Sequence, residues 1–234
     1  TAVVRLSDVA PDGTTSQVTA GMLNLTHRDS HVEPAPLEPG VACEVRVPLR
    51  ATGYRFLPGH RIRLSVASSY WPVLWPSPFP GELGIHLGAS RLVLPTIPVG
   101  EGSLPTPSFR TTPARLPDVG AVDTEDPPVW RVFEDVLAGT VTVTTSGGAE
   151  TTLPDGTSLY SFELLEMTAP DADPAHARMR TEVIYRLRQD GRAMDILVNG
   201  LTTSTETDFR MEVDLAVELD GAPFFARDWD ETIP

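Results

Sequence analysis

Lysine is absent from this sequence: all 18 basic residues are arginine, a bias of composition that carries no chemistry of its own. Cysteine is nearly absent. Cys43 stands alone, so no internal disulfide can form, and beside a valine-rich stretch it is expected to be a small buried hydrophobe. No apolar run approaches the roughly 20 residues that a membrane helix needs, so no membrane partner is expected. A basic leader followed by a hydrophobic stretch is missing too, and the expectation is a cytoplasmic rather than a secreted protein. The first residues, Thr1 to Leu6, instead alternate like a strand, as though cut from something longer. Convincing amphipathic helices of ordinary length are also missing.

What is present is acid and alternation. The formal net charge is -14, and it is unevenly placed: nine arginines offset eight carboxylates up to residue 112, so the acidity belongs to the second half. An acidic surface repels phosphate backbones, which argues against a nucleic-acid partner. Residues 95–128 are dense in Pro, Gly, Ser and Thr, and read as a linker between two units. Before it, Glu44–Arg50 and His60–Val66 have apolar residues at every second position, the period of a half-buried strand, with Val18–Thr26 and Arg91–Leu94 as shorter candidates. After it, Phe209, Met211, Val213, Leu215, Val217 and Leu219 form one face with charged residues between them. Asp220-Gly221 then predicts a tight hairpin and a returning strand over 222–232. Met179 to Leu187, Asp190-Gly191 and Met194 to Val198 repeat the pattern. Val129–Leu137 suits a short helix or a strand. The fold class expected is all-β, with a β-sandwich unit over 1–98, a linker over 99–128 and an antiparallel β-meander over 129–234.

Catalytic constellations are not found. A nucleophile elbow needs glycines two residues either side of its serine, and the nearest approach, Gly88-Ala89-Ser90-Arg91-Leu92, lacks the second. His27 and His31 are four apart, but the prolines that follow argue for a loop rather than the helix a metal pair needs. Asp171-Ala172-Asp173 lacks the glycine and distal glutamate of a calcium loop and reads as a solvated turn. No catalytic residue, metal or cofactor is therefore expected. The most unusual stretch is Tyr70 to Pro80, where Trp71, Trp75 and Phe79 are interleaved with prolines. These three are the candidates for lining a pocket or docking on a neighbouring domain, against the alternative that the tryptophans cap the end of a sandwich core.

Several ordered strings carry a resemblance: Arg5-Leu6-Ser7-Asp8-Val9, Gly21-Met22-Leu23-Asn24-Leu25, His27-Arg28-Asp29, Phe56-Leu57-Pro58-Gly59-His60-Arg61-Ile62-Arg63-Leu64, Trp71-Pro72 and Ser90-Arg91-Leu92-Val93-Leu94-Pro95. Together they resemble the C-terminal jelly-roll (galactose-binding-like) domain of the CocE/NonD hydrolases, the cocaine-esterase and X-Pro dipeptidyl-peptidase group, over residues 1 to about 98. The resemblance implies a non-catalytic domain that packs beside an α/β-hydrolase domain carrying the Ser-Asp-His triad and helps shape its substrate site. It implies structural roles for His60, Arg61 and Arg63, and a chain that starts inside the jelly roll. It resembles the longer members of the group beyond about residue 110, where no chemistry is implied. Two alternatives stay open, a carbohydrate-binding module using Trp71 or Trp75 and a structural or oligomerisation module. A truncated sandwich would leave an edge open near Thr1 to Asp8, to be filled by a second copy or covered by 222–233, with Phe224, Phe225 and Trp229.

Overall fold

A computed structural model describes residues 1–79, 81–97, 108 and 126–234. It is all-β, with two antiparallel sheets. The first is three-stranded, in the order β2-β1-β3, from β1 (Ala2–Val9), β2 (Thr15–Leu23) and β3 (Arg61–Ala67). The second is a seven-stranded meander: β4 (Val129–Asp135), β5 (Thr140–Thr152), β6 (Ser158–Pro170), β7 (Arg178–Gln189), β8 (Arg192–Ser204), β9 (Phe209–Leu219) and β10 (Ala222–Ile233), each paired with the next in chain order. Among the described residues the two halves share no sheet. Most of the expected linker lies outside the described residues.

The first sheet is built around β1. Ala2, Leu6 and Asp8 on one face, and Val3, Ser7 and Val9 on the other, are all buried, the pattern of a central strand. This corrects the expectation of an open edge at Thr1 to Asp8, because β2 and β3 pair on either side of that strand. The proposed cover is corrected as well. β10 pairs with β9 at the far end of the other sheet, and Phe224 and Phe225 are exposed there.

Glu44–Arg50 has strand periodicity but forms no ladder. It runs along β2, joined by one backbone bond from the Arg50 N–H to the Ala20 carbonyl (3.1 Å) and by the Thr19 hydroxyl donating to the Arg50 carbonyl (2.7 Å). Arg91–Leu94 is likewise irregular, with Arg91, Leu92 and Val93 exposed. Cys43, expected to be buried, is exposed: no second layer covers this segment among the described residues. The close approach to β2 requires Gly21, where a Cβ would sit 2.2 Å from the Pro48 carbonyl oxygen.

In the second sheet the two Asp-Gly turns behave as their sequences demand. Asp190 and Gly191 have φ of 49° and 75°, Asp220 and Gly221 of 53° and 78°, the doubly left-handed pair whose twist matches a hairpin. The two turns are tied together: the Asp220 carboxylate accepts from the Ala193 N–H (2.8 Å) and from Arg192 Nε (2.9 Å). The Ala193 bond, then Arg192, holds the Asp220 carboxyl below its ordinary range, and Arg210 does the same to Asp230. A carboxyl whose folded pKa lies below its unfolded value stabilises the fold above the unfolded pKa and loses that contribution as pH falls through the folded one. We therefore expect thermal unfolding of the β7–β10 region to move to lower temperature between about pH 5 and pH 2, and Asp220→Asn to flatten that dependence. A scan over that range whose slope is the same in both proteins would contradict it.

The register sets two unlike faces on this sheet. Arg178, Arg180, Glu182, Arg186, Glu212, Asp214 and Glu218 line one, joined by ion pairs such as Arg180–Glu166 and Arg210–Asp230. The other is apolar, with Val143, Met167, Met179, Val183, Tyr185, Ile196, Val198, Met211, Val213 and Leu215 among its members. Of the residues in these seven strands only Val143 and Ser204 are buried. No other layer covers the apolar face among the described residues.

Candidate functional site

The proline-rich aromatic loop leaves β3 and carries Trp71 and Trp75, four residues apart around a turn closed by the Leu74 N–H on the Tyr70 carbonyl (2.9 Å). Their rings meet edge to face, centroids 5.6 Å apart at 82°. Trp75 then meets Phe209 of β9 in the same way, at 5.4 Å and 73°. Such pairs prefer this geometry because the positive ring edge meets a negative ring face.

Polar chemistry fixes the position. Trp75 Nε1–H donates to the Ser204 hydroxyl (2.8 Å), which in turn donates to the Ala175 carbonyl (2.5 Å). Ser204, Ala175 and Ala177 are buried, Ala175 within the short 3-10 turn Pro174–His176. Trp75 thus joins the first half of the chain to the apolar face of the second sheet, where the register places Ser204 opposite Phe209. Trp71 Nε1 is buried without a hydrogen-bond partner among the described residues. Phe79, the third sequence candidate, is not brought to this cluster by any ring contact and is 61% exposed. Ser204 and Phe209 were not legible as its partners, since 129 residues separate Trp75 from Ser204.

A second constellation lies at the other end of the first sheet. Asp8, 4% exposed, accepts from the Tyr54 hydroxyl (2.7 Å), and both its oxygens lie 2.9 Å from His60 Nδ1. The carboxylate fixes the imidazole plane through Nδ1. Tyr54 is held above its ordinary range, chiefly by the bond to Asp8. An oriented imidazole is half of a catalytic dyad, but no hydroxyl or thiol pairs with Nε2 of His60 among the described residues, so the cluster has no nucleophile to activate. Its effect is to tie the end of β1 to the Pro58-Gly59 turn that opens β3. Asp8→Ala is expected to cost about 2 kcal/mol, as for a hydrogen-bonded buried charge whose partners can rehydrate. Chemical denaturation that gives the same midpoint for both proteins would remove this role.

His27 and His31 stack at 5.5 Å without a carboxylate to complete a ligand set, and Asp173 pairs with His176 (2.7 Å) in the turn before β7. Among the described residues no group of three His, Cys, Asp or Glu side chains has metal-binding geometry. No helix of the described residues is long and apolar enough to cross a membrane.

Comparison with known proteins bears on the first half. Residues 1–115 match the family model of the X-Pro dipeptidyl-peptidase C-terminal non-catalytic domain. Cocaine esterase from Rhodococcus sp. (strain MB1 Bresler) is 40% identical over 68 residues, which is 29% of this chain. That stretch spans only 12% of the length of the curated relative. No solved structure matches the chain. Over residues 1–115 the chain is therefore similar to the non-catalytic C-terminal domain of the X-Pro dipeptidyl-peptidase and cocaine-esterase kind.

Proposed function

We propose that this chain is the accessory part of a serine hydrolase that acts on esters or X-Pro amides. The chemistry belongs to an α/β-hydrolase domain of the same protein, outside this chain. The first half is a jelly-roll-type unit over about 1–98 that packs beside that domain and helps shape its substrate site. The second is a β-meander unit over 129–234, held to the first through Trp75. Trp71 and Trp75 serve as docking residues rather than as a sugar platform, because Trp75 already has two rings in edge-to-face contact and a buried hydroxyl around it. The family match over residues 1–115 is the observation that carries this reading.

A fluorophosphonate probe tests it. The parent protein is expected to be labelled on one serine outside residues 1–234, and the chain alone to remain unlabelled and inert toward nitrophenyl esters, since its sequence has no elbow and no hydroxyl is paired with a base among the described residues. Labelling of a serine within the chain, or a parent gene that encodes no hydrolase domain, would overturn the proposal.

A further inference from the structure

The apolar face of the seven-stranded sheet is too large to be left in water. Seven strands at about 4.8 Å spacing and about 11 residues in length present roughly 1,000 Å², more than the 800 Å² per partner of an ordinary stable interface. Four of the five methionines of the chain lie on it. Met167, Met179 and Met211 stand in one row across the sheet with Val143 and Thr202, and Met194 lies four rows away, between Leu187 and Leu219. Unbranched, polarisable side chains of this kind mould themselves to an irregular partner surface.

Charge distinguishes the occupants. The face carries three carboxylates, Glu134, Glu163 and Glu231, against two arginines: Arg192, bound to Asp220 at the turn, and Arg227, which lies over the Trp229 ring at 4.8 Å. A second copy would bring the same excess of acid, within a half-chain that holds nearly all of the -14 net charge. The face is continuous with the Trp75–Phe209 contact, so whatever packs beside the first half also lies next to it. We infer that this face is the seat of the catalytic domain of the same protein, which meets it with an apolar surface and a cation opposite Glu163. This rests on the accessory-domain reading above.

Methionine footprinting tests the inference without a mutation. Brief peroxide oxidation, read by mass spectrometry, is applied to the chain alone and to the parent protein, with Met22 on β2 as the internal reference. In the chain alone Met167, Met179, Met194 and Met211 are expected to oxidise at rates comparable to Met22 or faster. In the parent all four are expected to be at least about fivefold slower, with Met22 unchanged. Equal rates in the two proteins would overturn the inference while leaving the serine-hydrolase reading intact. So would protection that disappears on dilution of the parent, which would assign the face to a second copy.

Discussion

Replacing Gly21 with alanine is expected to destabilise the first half of the chain by about 3 kcal/mol, because the new methyl has nowhere to go. Its Cβ would lie 2.2 Å from the Pro48 carbonyl oxygen and 3.0 Å from the carbonyl carbon, and both are backbone atoms that cannot rotate aside. Either β2 or the segment over 44–50 must move. The bonds at risk are the Arg50 N–H to the Ala20 carbonyl and the Thr19 hydroxyl to the Arg50 carbonyl. Gly53→Ala is the matched control: nothing lies within 4 Å of its Cβ, so a change within about 0.5 kcal/mol is expected. Denaturant midpoints that fall equally for the two variants would show that the approach of Pro48 to β2 does not constrain the fold.

The same region shows what periodicity reads and what it misses. Alternation reports that one side of an extended segment faces apolar surroundings, and on that basis β3, β7, β8, β9 and β10 were legible, the last four sharpened by their Asp-Gly turns. Glu44–Arg50 has the same alternation because it lies over β2, yet packing over a sheet is not pairing within one. β5 and β6 escaped for opposite reasons. Thr140–Thr152 has few apolar residues to alternate, whereas Ser158–Pro170 has them at both parities, with Leu159 and Leu165 on one face and Phe162 and Leu164 on the other. The error over the open edge came from treating β1 as terminal in space because it is first in sequence. Its burial on both faces marks it as central.

Family strings, in contrast, located the non-catalytic domain with no help from periodicity, and the family match extends past the expected boundary at 98 to residue 115. They could not locate the Asp8–His60–Tyr54 cluster, whose members lie 46 and 52 residues from Asp8 and meet only through the β1–β3 pairing. Nor could they show which indole would bond across to the second sheet. Trp71 and Trp75 are alike in sequence context, and among the described residues only Trp75 finds an acceptor.

That acceptor makes Trp75 the residue whose loss should be felt furthest from its own position. Trp75→Ala removes a large ring from between Trp71 and Phe209 and leaves the Ser204 hydroxyl with only its contacts to the Ala175 and Ala177 carbonyls, a loss expected to cost about 3 kcal/mol. The effect should be seen in the second half of the chain. Hydrogen exchange is expected to rise in peptides spanning the β8–β9 turn, near Ser204 and Phe209, although the substitution lies in the first half. Trp75→Phe separates the two contributions, since it keeps a ring against Phe209 but has no N–H to donate. Combined with Ser204→Ala in a double-mutant cycle, it should show a coupling of about 1 kcal/mol, the size of one net hydrogen bond. If the pair proves additive and exchange around the β8–β9 turn is unchanged in Trp75→Ala, the two halves are joined by the chain alone, and Trp75 has no docking role.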